Sequence, residues 1–215
     1  MRFPYQAIQF DCDGVIVDTE ILSSNILKRM LNELGLELDD HTMHTQFAGF
    51  TTHKNLILAE SMLGKPLPDN FLNHYREEFN CAIKTDLHPI EGVRKLLDAI
   101  TCPIAMATNA QRAEMELKLE LIGLTHKFRT RFAVDDVNEG KPAPDLYLAA
   151  ANALQVSPEH CIVIEDSLAG IRAGKAAGAT VLAYSDVLPA EAQIEAGASA
   201  TFDSMAELMV LLGLK

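Results

Sequence analysis

Short runs of consecutive apolar residues, each closed by polar ones, recur along the chain. Residues 7–10 (AIQF) end in Asp11, and residues 104–107 (IAMA) end in Thr108-Asn109. Residues 132–134 (FAV) end in Asp135-Asp136, 161–164 (CIVI) in Glu165-Asp166, and 180–184 (TVLAY) in Ser185-Asp186. Runs this short and continuous suit strands buried on both faces of a parallel sheet. Helical patterns separate them. "PDLYLAAANALQV" is rich in alanine and leucine, and "SPEHC" offers Ser157 as an N-cap with Pro158 behind it. "SLAGIRAGKAAGAT" carries Gly170, Gly174 and Gly178 at four-residue spacing, which suggests a helix packed close to a neighbour. Strand and helix alternate, so the pattern predicts an open α/β sheet.

From residue 19 to about residue 86 that rhythm stops. "TEILSSNILKRMLNELG" places Leu22, Ile26, Met30 and Leu34 on one helical face, with Gly35 as the stop signal. "NFLNHYREEFNCAI" repeats the pattern with Phe71, Leu72, Tyr75, Phe79 and Ile83. This is an all-helical insertion after the first strand, with the sheet resuming near His88-Pro89. The expected division is a Rossmann-like core from residues 1–17 and 88–215, and a small helical cap from 18–87.

Composition narrows the function. A chain of 215 residues, 48% hydrophobic and 22% charged, is ordinary for a soluble globular protein. Its net charge of -12 argues against nucleic acid or an anionic membrane as partner. A small anionic substrate stays open, because a bound metal and one lysine reverse the local field. No apolar stretch is long enough to span a membrane, and Asp11 arrives before a signal-peptide-like region could form. Cys12, Cys81, Cys102 and Cys161 show neither CxxC pairing nor ligand spacing, as in a reducing compartment. The expectation is a cytoplasmic protein, with a monomer favoured.

Ligands of open parallel sheets bind beyond the carboxyl ends of the strands. Four such ends supply Asp11 and Asp13, Thr108 and Asn109, the segment leading to Lys141, and Glu165-Asp166. Side chains two apart in an extended segment point the same way, so Asp11 and Asp13 can flank one reacting centre. Their repulsion would raise one pKa unless a cation intervenes. Carboxylates from Asp11 and Asp166 make an oxygen-rich site suited to Mg²⁺. An aspartate held by the metal could act as nucleophile, and the second could alternate as acid and base. Taken singly, each feature has a plainer reading: an acidic helix cap for Glu165-Asp166, a turn for Thr108-Asn109, a solvated lysine for Lys141. "DCDG" lacks the third acidic residue of an EF-hand loop. None of the seven histidines is spaced as a metal pair, and "KFRTR" (127–131) reads as solvated surface.

Together the motifs resemble the haloacid dehalogenase superfamily over nearly the whole chain. "DCDGVIVDTE" is similar to its first motif, Thr108 in "ATNA" to its second, Lys141 in "GKPAPD" to its third, and "VIEDSLAG" to its fourth. The resemblance implies Asp11 as the phosphate-attacking nucleophile and Asp13 as the acid/base that lends its backbone carbonyl to Mg²⁺. Asp166 and Glu165 complete the implied metal shell, while Thr108, Asn109 and Lys141 hold the phosphoryl oxygens. Asp13 speaks against the metal-free dehalogenase branch, and Thr52 at the expected lysine position against phosphonate hydrolysis. "DGVIVDTE" and "VIEDSLAGIRAGKAAG" resemble the β-phosphoglucomutase-like subgroup. Yet Ala48 and Thr52 stand where the mutase carries cationic phosphate ligands, and Ser23 where it carries a gating histidine. The expectation is therefore a Mg²⁺-dependent phosphatase of small phosphorylated metabolites. Its cap loop, with Phe47, Gly49, Thr51, Thr52 and Lys54, would close over a sugar or sugar-acid phosphate. Bacterial 6-phosphogluconate phosphatases, which share the "FDCDG" start, suggest a first substrate. The alternatives are a phosphosugar mutase and a non-catalytic phospho-ligand sensor on the same fold.

Overall fold

The computed structural model describes residues 3–47 and 52–214. Six strands, β1 (Ala7–Phe10), β2 (Ile104–Ala107), β3 (Thr130–Phe132), β4 (Cys161–Glu165), β5 (Thr180–Tyr184) and β6 (Ala200–Phe202), form one sheet. Their order is β3-β2-β1-β4-β5-β6, and every pairing is parallel. Helices α1 (Glu20–Glu33), α2 (Asp40–Thr42), α3 (Thr52–Leu63) and α4 (Phe71–Asp86) lie between β1 and β2 in the chain. There follow α5 (Val93–Ala99), α6 (Arg112–Leu121), α7 (Asp145–Leu154), α8 (Leu168–Ala176), α9 (Ala190–Ala196) and α10 (Met205–Leu212). The chain divides into two compact units: Met1–Asp18 with His88–Lys215, and Thr19–Leu87. No helix among the described residues is long and apolar enough to cross a membrane.

Within the first unit, β1, β4 and the inner part of β5 are buried on both faces, which explains their unbroken apolar runs. Small strand residues (Ala105, Ala107, Ala183) share a core with Leu146, Tyr147 and Ala150 of α7 and Ile171 and Ala173 of α8. The strand order reverses between β1 and β4, so their carboxyl ends border the crevice where such sheets bind ligands. Asp11 and Glu165 stand at those two ends.

The spaced glycines of α8 do separate jobs. A Cβ on Gly170 would collide with the Glu165 carboxylate, while one on Gly174 would meet Val181 Cγ2 at 2.8 Å and Val163 Cγ1 at 3.1 Å. Gly178 has open space around it and a φ of +88°, the left-handed turn that ends the helix. Both valines are fully buried, so Gly174→Ala overpacks the sheet by more than its gain in helix propensity. We expect a net loss of about 1 kcal/mol, read from the denaturant midpoint. An unchanged midpoint would show that the valines have room to give.

In the second unit, α1 buries Ile26, Leu27, Met30 and Leu31, and α4 buries Phe71, Tyr75 and Ile83. Gly35, at φ +92°, closes α1, and the Leu36 N–H donates back to the Leu31 carbonyl. This follows the periodicity of the sequence.

Three expectations need correction. The third strand is Thr130–Phe132, and Val134–Asp136 is a 3₁₀ turn. The Asp136 carboxylate accepts the Ala133 N–H and so stops the strand two residues early. Ser157 makes no side-chain cap, and Pro158–His160 is a single 3₁₀ turn. "KFRTR" is not simply solvated. Phe128 is fully buried edge-on to Phe10, and Arg131 makes a forked bond to the Glu116 carboxylate at 2.7 Å through Nε and Nη2.

Candidate active site

β1 delivers Asp11 to the crevice, its N–H donating to the Ile164 carbonyl of β4 at 3.0 Å. The chain then turns tightly: the Ile16 and Val17 N–H groups both donate to the Cys12 carbonyl. Gly14 sits at φ +72°, and a Cβ there would strike the Asp166 carboxylate. Only glycine meets both demands, the left-handed backbone and the approach of Asp166. Burial pushes the Cys12 thiol well above its ordinary range, so it is no nucleophile.

Lys141 is the hub of the site. Its Nζ donates to Asp11 Oδ1 and, at 2.6 Å, to Glu165 Oε1, and it lies 4.9 Å from the centre of the Tyr147 ring. Burial works against the ammonium, but attraction to Asp11 and Glu165 outweighs it and holds Lys141 protonated. Burial pushes the Asp11 carboxyl up to about 7; Lys141 opposes this and the Glu165 charge adds to it. For Glu165 burial also raises the pKa, but Lys141 and the donors around it prevail and hold it below its ordinary value.

Glu165 is fully buried and heavily engaged. Oε1 accepts from Lys141 and from the Tyr147 hydroxyl, at 2.7 Å. Oε2 accepts from the Asp166 N–H, the Ser167 N–H and the Ser167 hydroxyl. Five donors fill the roughly four lone-pair sites of a carboxylate. Asp166 is half-buried, and its backbone carbonyl is held by Gln193 Nε2 at 2.9 Å, which also donates to the Tyr184 carbonyl. Ser167 caps α8 by accepting the Gly170 N–H.

Carboxylate oxygens of Asp11, Glu165 and Asp166 lie within 4.8 Å of one another. An all-oxygen donor set suits Mg²⁺. The raised Asp11 carboxyl marks a place where one more positive charge stabilises the anion. The residues present therefore fit a divalent cation.

Thr108 is buried at the end of β2, where its Oγ1 accepts the Ala110 N–H at 3.1 Å. Asn109 follows it and reaches across to the Lys141 segment. Its amide clamps the Lys141 backbone, with Nδ2 donating to the carbonyl at 3.0 Å and Oδ1 accepting the N–H at 2.8 Å. Gly140 makes room for it, since a Cβ there would lie 2.6 Å from Asn109 Oδ1.

The structure adds residues that the sequence pattern did not single out. Lys118 of α6 is 1% exposed, and its Nζ donates to Asp13 Oδ1 at 2.6 Å and to Glu114 Oε1. Burial opposes its charge, but Asp13 and Glu114 raise its pKa above the usual lysine value. Tyr147 and Gln193 act on Glu165 and Asp166 as described. An i, i+4 Glu-Lys pair reads as surface decoration in a sequence, so only the fold reveals Lys118.

In the helical unit, Phe47 closes a single π-helical turn (Met43–Phe47) and is buried in that unit's apolar core with Met30, Leu31 and Tyr75. Its side chain therefore packs within that unit. Thr52 opens α3, partly buried, and Lys54 is exposed on it. Ala48, Gly49 and Thr51 lie outside the described residues. Ser23 shares a 2.6 Å hydrogen bond with the Tyr75 hydroxyl, tying α1 to α4.

An acidic cluster and a buried lysine thus stand at the reversal point of a parallel α/β sheet, where such folds bind ligands. The chain belongs to the haloacid dehalogenase-like hydrolases: the profile of that family matches residues 8–184. It is 32% identical over 181 residues to the 6-phosphogluconate phosphatase of Escherichia coli (strain K12), covering 83% of this chain and 82% of that one. It is 32% identical over 177 residues to the phosphorylated carbohydrates phosphatase of Thermotoga maritima, covering 80% and 82%. A HAD family hydrolase from Deinococcus radiodurans R1, solved with bound phosphate and sodium, superposes with a TM-score of 0.86 at 34% identity, covering 98% and 96%. Membership and these phosphatase relatives make the chain a phosphoric monoester hydrolase.

Proposed function

We propose that the protein is a Mg²⁺-dependent phosphatase of small phosphorylated metabolites, working through a phospho-Asp11 intermediate. The observation that carries this is the Asp11–Lys141–Glu165 arrangement beside Asp166 at the β1/β4 switch point. Bound between the carboxylates of Asp11 and Asp166 and the backbone of Asp13, magnesium would keep Asp11 anionic and offset phosphoryl charge. Glu165, its lone pairs already engaged, positions Lys141 and the Asp166 backbone.

An Asp11 oxygen attacks phosphorus and the ester P–O bond breaks. The departing alkoxide takes its proton from the Asp13 carboxyl. The resulting Asp13 carboxylate takes a proton from water as the water oxygen attacks phosphorus. The bond from phosphorus to Asp11 breaks, releasing phosphate and restoring both aspartates. Lys141 and the Thr108 hydroxyl steady the phosphoryl oxygens, and Asn109 holds Lys141 in place. The helical unit serves as a specificity cap, with Thr52 and Lys54 as its described contributors. A sugar or sugar-acid phosphate is the proposed substrate class, with 6-phosphogluconate first to test, on the strength of the two named relatives.

A panel of metabolite phosphates assayed with Mg²⁺ and with EDTA tests this. Phosphate release from sugar or sugar-acid phosphates, abolished by EDTA and restored by Mg²⁺, is the expected result. Flat kinetics across the panel would favour a ligand sensor. Interconversion of glucose phosphates in the presence of the bisphosphate, without phosphate release, would favour a mutase.

A further inference from the structure

We propose that Lys118 is a positioning residue for Asp13, holding in place the carboxylate that exchanges protons with leaving group and water. This rests on the phosphatase reading above. Lysine is rarely buried unless paired, and Lys118 is buried although its two partners are not. The Asp13 and Glu114 side chains are 34% and 44% exposed, whereas that of Lys118 is 2% exposed. The ammonium is therefore the inner, anchored member of the group. A lysine serving only to pair with Glu114 along a helix surface would have its head in water.

The geometry explains what the anchor does. Asp13 lies on the tight turn that follows β1, and its side chain is 34% exposed. Lys118 Nζ takes Oδ1 at 2.6 Å from a helix packed into the core, since its neighbours Met115 and Leu119 are fully buried. Glu114, one turn back on α6, holds the lysine from the other side. Swinging Asp13 away would leave the buried ammonium with Glu114 alone, which favours keeping the carboxylate where the reaction needs it. Proton transfer requires about 2.6–3.2 Å between heavy atoms. Displacement by about 1 Å costs about 10²-fold in rate.

Lys118→Met keeps the apolar stem and removes the bond. Its kcat on an alkyl phosphate is expected to fall about 10²-fold, with KM changed by less than about threefold, because a buried ammonium does not touch substrate. p-Nitrophenyl phosphate separates this from general damage. Its leaving group needs no acid, so Asp11 should still be phosphorylated while water attack lags. The variant should then show a burst of nearly one nitrophenolate per site followed by slow turnover. Adding Lys118→Met to Asp13→Asn should cost little more, since both act through one carboxylate.

A kcat within about twofold of the unmutated protein overturns the proposal. So does a burst that shrinks in step with the rate, or additive losses in the double variant. Should Lys118→Met fail to fold, Lys118→Gln carries the same measurements, retaining a donor one bond shorter; full activity there, with or without the burst, equally overturns it. If the unmutated protein with Mg²⁺ releases phosphate from no ester, the phosphatase reading fails and takes this role with it, a result distinct from failure in the variant alone.

Discussion

Asp11→Asn is expected to lower turnover of every phosphate ester by at least about 10⁴-fold, with the fold intact. Asparagine matches aspartate in shape but cannot form the phosphoryl-enzyme, and no other described side chain is placed to replace it. Cys12 is a buried thiol pushed well above its ordinary range, and the Asp13 carboxylate is tied to Lys118. The variant also tests why Asp11 has a raised pKa. Burial lifts the carboxyl from 3.8 to about 7, so the folded protein keeps a proton that the unfolded chain releases. Asp11 thus contributes stability that is fully present below about 3.8 and lost as pH rises through about 7. In EDTA, the melting temperature of the unmutated protein should fall between pH 5 and pH 8, and Asp11→Asn should flatten that fall. Phosphate release by the variant above about 1% of normal would sink the nucleophile assignment. Equal pH slopes would sink the burial account.

How far the site could be read beforehand depended on whether a residue's partner lay near it in sequence or across the fold. Asp11, Thr108 and Asp166 were legible because each follows an apolar run, and a parallel sheet brings strand ends together. Lys141 was legible only through the motif around it, since a lysine before proline carries no pattern of its own. Lys118 was not legible at all. Its partner is 105 residues away, and its neighbour Glu114 supplies a sufficient local explanation. Asn109 and Glu165 were found as residues, but their partners within the protein were not. Asn109 grips the Lys141 backbone, and five donors occupy Glu165. Phe47 drew attention as part of the cap loop, yet its burial belongs to the helical unit's own core. The strands show the same limit: β6 has only three residues at a sheet edge and offers no apolar run to detect.

Lys141→Met is expected to remove both activity and a large part of the stability, and for the same reason. Asp11 and Glu165 are buried carboxylates that meet at one ammonium. Methionine fills the space of the stem but leaves the two anions facing each other without compensation. Breaking such a pair by removing one partner costs about 3–5 kcal/mol. The pH dependence gives the sign. In the unmutated protein Glu165 is held below its ordinary 4.5, so its contribution is present above that value and lost as pH falls through the lowered one. Without Lys141, only the neutral donors around Glu165 still oppose burial, and both carboxyls rise. The folded variant then binds protons more tightly than its unfolded chain, and its stability recovers as pH falls. Denaturant melts in EDTA should therefore show the largest deficit at pH 8 and a smaller one at pH 5. Mg²⁺ should stabilise the variant more than the unmutated protein, since a cation can replace the missing charge. Activity should stay down by about 10³-fold even with saturating Mg²⁺, because the donor to the phosphoryl group is gone. A variant as stable as the unmutated protein at pH 8 in EDTA would mean that the carboxylates do not depend on Lys141. In that case the hub of the proposed site would have to be placed elsewhere.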